Sequence, residues 1–297
     1  MMTETKIETT SGYSLPETCA PVAWGGGRWP GQDWIDGHLI DVGQDREGIA
    51  IREVSQPSRG EAVVVVRSNR SPDDDIAWSK RVLATDRLPP AGADPVLRAV
   101  AERFPGMRPW SNGDLFEGVV TAIVGQSISV QAAAVTERKL CALFSEPVEH
   151  WGRRFWPMPT VAQLAEADPA TIRLSGVTGR RATAIVTIAG IALDGGLIST
   201  EAALVDEAAA LATLMSLPQV GQWTAESVLL WGLGVDDAYP VGDVALLRAA
   251  RAAYRQPAMS HAEMNALAEG WRPARSWAAR WLWLHLFGPA PMSGPPS

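Results

Sequence analysis

A glycine-centred turn beside a tryptophan is the first feature of the sequence that suggests binding chemistry. It lies in the segment LPQVGQWTA, residues 217–225. Pro218 cannot continue a preceding helix, and Gly221 can adopt backbone angles that are closed to other residues, so we expect a tight helix-hairpin-helix here. The backbone N–H groups that begin the second helix can then bind a phosphate oxygen without any net positive charge. A simple connection between two helices explains these residues equally well.

Asp243 is the acidic residue whose position suggests a second kind of chemistry. It follows the sequence YPVG, whose Pro-Val-Gly bend precedes an apolar helix predicted over 243–254. A carboxylate at this point can serve as a plain N-cap that accepts the first backbone N–H groups of the helix. That explanation would suffice for an isolated acid. The combination of L-P-x-V-G-x-W-T-A with P-x-G-D-x-x-L-x-R favours a functional role instead.

These two motifs together resemble the helix-hairpin-helix (HhH-GPD) superfamily of DNA glycosylases, in particular its AlkA-type branch, DNA-3-methyladenine glycosylase II. Three further segments carry the same resemblance: FPGMRPWSNGDLFEGVVTAIVGQSISVQAAA at 104–134, PTVAQLAEADPATIRLSGVTGRRATAIVTIA at 159–189 and WRPARSWAARWLWLHL at 271–286. The match covers about residues 100–288. The strand-rich region before it fits the additional N-terminal α+β domain of that branch.

The resemblance implies that the protein excises bases from double-stranded DNA. The family flips a damaged nucleotide into a pocket and cleaves the bond between base and sugar. By this similarity Asp243 is the catalytic carboxylate, which stabilises positive charge on the sugar and orients or deprotonates the attacking water. Alkylated purines of the 3-methyladenine type are the expected substrates, because alkylation puts positive charge on the base and weakens its glycosidic bond. In bifunctional members a lysine stands at the position of Trp223, and no lysine follows Lys139. We therefore expect a monofunctional enzyme that leaves an abasic site.

The same resemblance assigns further residues to the site. The substrate-binding candidates are Trp223, Trp271, Gln126 and Ser127, and the DNA-binding candidates are Gln219, Val220, Gly221, Thr224 and Arg248. The indole of Trp223 offers a face for a cationic base. Among the other tryptophans near 280, we expect Trp277 and Trp281 to lie in the core. Arg108, like Arg248, is a candidate for phosphate contact.

Several positions depart from the pattern of the family. Ser127 stands where relatives carry a bulky apolar residue that fills the space of the flipped nucleotide, which leaves that task to Gln126 or Ile128. Gln219 replaces the usual first glycine of the hairpin. Aromatic residues expected beside the pocket are replaced by Ser227, Val244 and Ala274. We therefore expect a wider and less aromatic pocket.

Two sequence patterns, one typical of strands and one typical of helices, indicate the elements that must position these residues. From about 12 to 88, short apolar runs alternate with turn clusters such as QPSRGE and RSPDDD, which is typical of an antiparallel sheet. The predicted strands are 38–42, 48–54 and 61–68. From about 90 onward the pattern is helical. The predicted helices are 94–104, 114–125, 129–145, 160–166, 168–174, 179–193, 200–214, 221–233, 243–254, 260–270 and 274–287.

The sequence thus predicts a mostly α fold. We expect an N-terminal α+β domain with a small antiparallel sheet over 12–90, followed by an all-helical core over 91–288. The helix-hairpin-helix lies at about 200–233 within that core. Residues 1–11 and 289–297 are predicted to be flexible.

Composition restricts the class of protein. With 46% apolar and 20% charged residues the chain is globular rather than disordered. Cys19 and Cys141 are too far apart to suggest a metal knuckle and are expected to be buried free thiols. Two cysteines exclude an iron–sulfur cluster held by four thiolates. We expect neither a metal ion nor a cofactor.

The charge and the chain termini bear on partners and location. The net charge of −7 argues against DNA binding, yet the acidic excess lies mostly in the first and last thirds of the chain. Charge alone therefore leaves DNA binding open. We find neither a run of eighteen apolar residues nor a signal peptide, and we expect a cytoplasmic monomer that does not contact membranes.

Three other functions remain open from the sequence. The first is a non-catalytic DNA-binding or damage-sensing protein that kept this fold. The second is a glycosylase for oxidised or mismatched bases, which the missing lysine and missing cluster cysteines disfavour. The third is an unrelated helical enzyme in which the hairpin and Asp243 are structural parts. A variant in which Asp243 is replaced by asparagine distinguishes the first of these from an enzyme.

Overall fold

The architecture combines a sheet with a helical body. The computed structural model describes residues 2–45, 47–58, 61–91 and 94–291. A five-stranded antiparallel sheet forms from the first part of the chain. From residue 95 onward the regular structure of the described residues is helical, apart from one two-stranded ribbon. The predicted fold class is confirmed.

The sheet has the strand order β1-β5-β4-β3-β2, with every neighbouring pair antiparallel. The strands are β1 Thr3–Glu8, β2 Gln32–Ile35, β3 His38–Asp45, β4 Gly48–Ser55 and β5 Val63–Ser68, and the separate ribbon is β6 Val148–His150 with β7 Arg153–Phe155. The three predicted strands correspond to β3, β4 and β5. Asp36 and Gly37 join β2 to β3 with φ angles of 49° and 82°. Such left-handed two-residue turns match the twist of antiparallel strands.

The prediction that residues 1–11 are flexible is wrong for residues 2–11, and Met1 lies outside the described residues. β1 pairs with β5 along its whole length, from Thr3 opposite Ser68 to Glu8 opposite Val63. Thr5 and Ile7 are buried while their neighbours on the strand are exposed, which is the alternation of a strand with one face on the core. The strand lies at an edge and carries charged residues on its outer face, so its sequence pattern is weak.

The helices that the sequence predicts beyond residue 90 are present. The helices are α1 Leu15–Thr18, α2 Ala20–Trp24, α3 Pro72–Leu83, α4 Pro95–Ala101, α5 Leu115–Gly125, α6 Val130–Cys141, α7 Val161–Ala165, α8 Pro169–Arg173, α9 Gly179–Leu193, α10 Thr200–Val205, α11 Glu207–Met215, α12 Gln222–Ser227, α13 Val244–Ala253, α14 His261–Glu269 and α15 Arg275–Phe287. Among the described residues, no single helix has the length and hydropathy of a membrane span, and only the pair α5 and α6, bent by 119°, reaches them when joined.

The segment RSPDDD is a helix start rather than a turn. Ser71 caps α3 by accepting the backbone N–H of Asp74, and Pro72 occupies the first turn. Three aspartates follow in that turn, where negative charge is favourable. Serine, proline and aspartate occur in both turns and helix starts, and here the apolar residues that follow continue the helix.

Two predicted helices differ from the structure. The helix at 200–214 is divided at Asp206, whose backbone leaves the helical region and whose side chain caps α11. The helix at 221–233 begins as α12 and continues as a π-helical segment, Val228–Leu233. The wider π turn shifts the side chains that follow relative to an α-helix, and such turns recur at functional sites.

A close approach of two glycines fixes α5 against the π-helical segment. A Cβ atom on Gly118 would lie 2.8 Å from the Cα atom of Gly232, and a Cβ on Gly232 would lie 3.1 Å from the Cα of Gly118. Only glycine permits backbones to approach this closely without a shift. The contact sets the position of α5 against the segment that carries Trp231.

The residues after α15 return to the N-terminal domain. Gly288 O accepts the Nε1–H of Trp24 at 2.9 Å, Ala290 N donates to Pro16 O at 2.9 Å, and Pro291 O accepts the Nε1–H of Trp34 at 2.5 Å. The predicted flexible tail is therefore wrong for 289–291, while 292–297 lie outside the described residues. Trp277 and Trp281 are buried, as predicted, and so are Cys19 and Cys141.

Candidate active site

Asp243 begins α13 and caps it. Its backbone is extended, with φ −63° and ψ 120°, and Oδ1 accepts the backbone N–H of Leu246 at 2.7 Å. Gly242 before it has a φ of 83°, in the left-handed region that favours glycine. The capping role that the sequence suggested is present. It uses one of the two carboxylate oxygens.

The second oxygen of Asp243 is held by Trp223. The indole Nε1–H donates to Oδ2 at 3.2 Å, across 20 positions of sequence. Both side chains are half-buried and line the same cavity. An ionised carboxylate offers about four acceptor positions, so about two stay available towards the cavity. The fold thus brings the two sequence motifs into direct contact.

The hairpin lies beside this pair and leaves backbone donors uncapped. Gln219 adopts the left-handed conformation, with a φ of 62°, at the position where the family usually has glycine. Gly221 is the exposed N-cap of α12, and no side chain caps that helix. A Cβ atom on Gly221 would have no heavy atom within 4 Å among the described residues. The first N–H groups of α12 are therefore open to a ligand such as a phosphate.

Gln126 connects the turn after α5 to the hairpin. Its Nε2 donates to Gln219 O at 2.8 Å and to Thr224 Oγ1 at 3.0 Å. Gln126 lines the cavity, but these two bonds fix its amide to the hairpin. Ile128 is 42% exposed on the same loop. Of the two candidates for filling the space of a flipped nucleotide, the geometry favours Ile128.

Asp243, Trp223 and the Gln126 loop border a cavity of about 1250 Å³. This volume exceeds the roughly 300–1000 Å³ of ordinary ligand pockets. The helical body supplies walls from α5, α6, the π-helical segment, α13 and α15. The N-terminal domain supplies walls from β3, β4 and α3, including Asp41, Arg52 and Trp78. The cavity therefore lies between the two parts of the molecule.

The walls of the cavity are rich in aromatic side chains, and the prediction that the pocket is less aromatic than that of the relatives stays a prediction. The aromatic residues that line it are Trp24, Trp29, Trp78, Trp110, Trp223, Trp231, Trp283 and Phe287. Trp231 contacts both Trp283 and Trp110, with ring centroids 5.1 Å and 6.3 Å apart. Tryptophans from the N-terminal domain and the π-helical segment thus line the cavity together with Trp223. The sequence contains 13 tryptophans, but the sequence alone did not show which of them line the cavity.

Trp271 does not line this cavity. It is 5% exposed in the core of the helical body, where it makes an edge contact with Tyr239. Its assignment as a substrate-binding residue is therefore corrected. The cis peptide bond between Arg272 and Pro273 follows it directly.

The other predicted site residues lie at the cavity or the hairpin. Ser127, at the loop tip with a φ of 60°, lines the cavity and is exposed. Arg248 lies at the cavity rim, with its guanidinium carbon 5.5 Å from the ring centroid of Phe287. Val220 and Thr224 are in the hairpin with buried side chains, so only their backbones are available for a DNA contact.

Arg108 is excluded as a phosphate contact. It is 1% exposed, and its guanidinium donates to the carbonyl oxygens of Arg87, Pro105, Met107 and Ser11. Burial lowers its pKa from the ordinary value. Its role is to fix the loop before α5. Among the described residues, no group of three or more His, Cys, Asp or Glu side chains is placed to hold a metal ion.

Two acids in the cavity, the half-buried Glu117 and the buried Glu137, were not identified from the sequence. Glu117 on α5 and Glu137 on α6 both line it. Burial raises the pKa of Glu117 to about 8, with Asp114 adding to the shift, and raises the pKa of Glu137 to about 7. No motif marked these residues, because their burial depends on how α5 and α6 pack.

The sequence matches one family model, described as "HhH-GPD superfamily base excision DNA repair protein", over residues 120–273. The protein named "Probable bifunctional transcriptional activator/DNA repair enzyme AlkA" from Mycobacterium tuberculosis is 35% identical over 222 residues, which are 72% of this chain and 43% of that protein. DNA-3-methyladenine glycosylase 2 of Escherichia coli is 33% identical over 179 residues, 60% of either chain. The chain thus spans about half the length of these curated relatives.

Solved structures of other proteins share the fold of this chain. The 3-methyladenine DNA-glycosylase from Archaeoglobus fulgidus has a TM-score of 0.77 at 22% identity, covering 94% of this chain and 97% of that one. At this identity the likeness concerns the fold, including the N-terminal sheet domain.

Proposed function

Since this chain belongs to the HhH-GPD superfamily of base excision DNA repair proteins, we propose that it is a monofunctional glycosylase that excises alkylated purines from double-stranded DNA. The observation that carries the proposal is the placement of Asp243. Its carboxylate lies at the border of an aromatic cavity, next to a hairpin with uncapped N–H groups. In this proposal the carboxylate is the catalytic group, the cavity binds the base, and the N–H groups of the hairpin bind a phosphate.

Asp243 performs the chemical step in this proposal. As the glycosidic bond breaks, the sugar carbon gains positive charge, which the adjacent carboxylate stabilises. The bonds from Leu246 N and Trp223 Nε1 hold the carboxylate in one orientation. The remaining acceptor positions bind the attacking water and take its proton. No second acid is needed when the leaving base is already cationic.

The aromatic walls account for binding of the base. A cationic base over the face of a tryptophan gains about 0.5–2 kcal/mol where water is excluded. Trp223 is suited to this role, because it lines the cavity and already contacts Asp243. Among the described residues that line the cavity there is no lysine. This supports hydrolysis by water rather than a covalent lysine intermediate with strand cleavage.

The hairpin binds the DNA backbone. The open N–H groups of α12 can donate to a phosphate, which does not require the chain to be basic. Arg248 at the rim adds one cation near the same site. Ile128, exposed beside the hairpin, fills the gap that the flipped nucleotide leaves in the duplex.

The test is base release by the wild type and by Asp243→Asn. The wild-type protein should release methylated purines from alkylated duplex DNA without added metal or nucleotide. Asn can still accept the N–H of Leu246 but cannot act as a base, so the rate should fall by about 10²- to 10⁴-fold. Binding of duplex DNA, measured by fluorescence anisotropy, should stay near the wild-type value.

Two results would contradict the proposal. Full base release by Asp243→Asn removes the catalytic role of this carboxylate. Absence of release by the wild type, combined with retained DNA binding, instead favours a damage-sensing protein without catalysis. Trapping of a protein–DNA adduct by borohydride would show a covalent amine intermediate and contradict the monofunctional assignment.

A further inference from the structure

Two of the carboxyl groups that line the cavity and that the proposed chemistry does not use lie on α5 and α6, and they belong to Glu117 and Glu137. Glu137 is 3% exposed, and its Oε2 has no hydrogen-bond partner among the described residues. Glu117 accepts one bond, from Asn112 Nδ2 at 3.1 Å. The charged groups that act most strongly on Glu117 are acids, namely Asp114, Glu137 and Asp41. Among the described residues, no cation is one of the charged groups that act most strongly on either carboxyl group.

One further polar group without a partner belongs to a residue of the cavity wall. Trp110 lines the cavity, and its Nε1 has no hydrogen-bond partner among the described residues, whereas the side chain of Thr121 interacts with Glu137 and lowers the pKa of that carboxyl group. Trp110 is 8% exposed. A buried polar group without a partner costs free energy, so native structures rarely retain one without reason. A molecule that enters the cavity can supply all of these missing bonds.

The geometry of α5 places Glu117 on the face of the helix that lines the cavity. Gly125, Thr121 and Glu117 line it at intervals of four residues, along one face of the helix. Gly125 adjoins Gln126, which binds the hairpin. From there an occupant meets Thr121 after about one turn and Glu117 after about two turns, roughly 12 Å along the helix. Glu117 is thus placed to contact a base that enters the cavity along this face of α5.

The charge state of the pair responds to what occupies the cavity. Burial raises the pKa values of Glu117 to about 8 and of Glu137 to about 7, so at neutral pH Glu117 is mostly protonated and Glu137 is about half protonated. Besides these two acids, the charged residues that line the cavity are Asp41, Asp45, Asp243, Arg52, Arg81 and Arg248. Arg52 is engaged with Asp41 at 3.7 Å and with Asp75 at 3.0 Å. Cys141 lies nearby but stays a neutral thiol, because burial raises its pKa.

We propose that Glu117 and Glu137 form a charge-selecting subsite that favours a cationic alkylated purine over a neutral base. The inference rests on the proposed function and names what that site selects. When the cationic base enters, one carboxylic O–H ionises and its proton leaves to solvent through the cavity mouth. The carboxylate then accepts an N–H bond from the base. No bond of the substrate forms or breaks in this step.

The first experiment compares two bases at several pH values. The measured quantity is kcat/KM for release of 3-methyladenine, which is cationic in DNA, divided by that for release of neutral hypoxanthine. For the wild type this ratio should rise about tenfold between about pH 6 and pH 8.5, as the pair ionises in the free protein. In Glu137→Gln and Glu117→Gln the rise should be reduced to less than about threefold.

Glu226→Gln is the matched control. Glu226 is also a buried acid, but it accepts the backbone N–H of Tyr239 and is not among the residues that line the cavity. The control should keep the wild-type pH profile. Equal discrimination by wild type and both cavity variants at every pH would overturn the subsite.

The second experiment needs binding alone and does not need the glutamate variants to fold. The infrared C=O band of protonated carboxyl groups is recorded for Asp243→Asn with a duplex carrying 7-methylguanine at about pH 6.5, where that base is cationic. The band should lose about one carboxyl group, and a hypoxanthine duplex should leave it unchanged. An unchanged band with the cationic duplex contradicts the subsite. Failure of the wild type to release either base contradicts the proposed function separately.

Discussion

At the residue scale, the bond between Trp223 and Asp243 explains how one tryptophan serves both binding and chemistry. The indole presents its ring to the cavity and its Nε1–H to the carboxylate. A bond to a charged acceptor contributes about 1.5–3 kcal/mol, which is enough to fix the orientation of Asp243. A lysine at this position could not provide the aromatic face.

Trp223→Phe separates these two roles. Phenylalanine retains an aromatic ring but removes the donor to Asp243, so kcat for base release should fall about tenfold with little change in DNA affinity. The matched control is Trp283→Phe, which makes the same substitution in a tryptophan of the cavity wall that packs on Trp231. Its kcat should change less. Equal effects of the two substitutions would show that ring size, and not the hydrogen bond, determines the rate.

At the element scale, the contact between α5 and the π-helical segment leaves no room for an added atom. Gly118→Ala would place a Cβ 2.8 Å from the Gly232 Cα, so the free energy of unfolding should fall by about 1–3 kcal/mol. Gly190→Ala is the control, because its Cβ on α9 meets no heavy atom within 4 Å. That change should raise the stability by about 0.5–1 kcal/mol. Thermal unfolding checks both, and similar Tm shifts would contradict the close contact.

The elements differ in how well the sequence predicts them. The hairpin and the start of α13 were predictable, because Pro218 cannot continue a helix and Gly242 permits the left-handed backbone, with a φ of 83°, that the bend before Asp243 requires. The π-helical segment was not, because Val228–Leu233 is compatible with an ordinary α-helix and its register depends on the approach of Gly118 to Gly232. β1 was missed for a related reason, since its pairing partner lies some sixty residues further along the chain.

At the scale of the whole molecule, the cavity itself could not be predicted. Its walls combine the N-terminal sheet, the middle of the chain and α15, and no local pattern reports such long-range packing. The resemblance to a family supplied Asp243 and Trp223, which lie where it implied a site. It also supplied Trp271, which packs in the core instead. The aromatic walls and the two buried acids became visible only through the fold.

The buried acids predict how stability depends on pH. Burial raises the pKa values of Glu117 and Glu137 to about 8 and about 7, and also raises that of Glu226. The folded protein therefore binds more protons than the unfolded chain between about pH 4.5 and pH 8, and its stability falls as the pH rises through this range. The loss should be on the order of 5 kcal/mol between about pH 5.5 and pH 8.5. His285, whose pKa burial lowers, opposes this trend only weakly.

Chemical denaturation at several pH values measures this loss. Glu137→Gln should reduce the slope, because it removes one of the groups whose proton is released on unfolding. Stability that is constant or rises over the same range would contradict the protonated state of the buried acids.

The return of residues 288–291 to the N-terminal domain has a consequence for the order of folding. The bond between Trp24 and Gly288 joins residues 264 positions apart. Contacts of such long sequence separation form slowly, because the intervening chain must first lose its conformational freedom. The sheet and the helical body can each collapse around their own clusters of apolar residues before this bond forms. Completion of the cavity is therefore expected among the last events of folding, after most secondary structure is already in place.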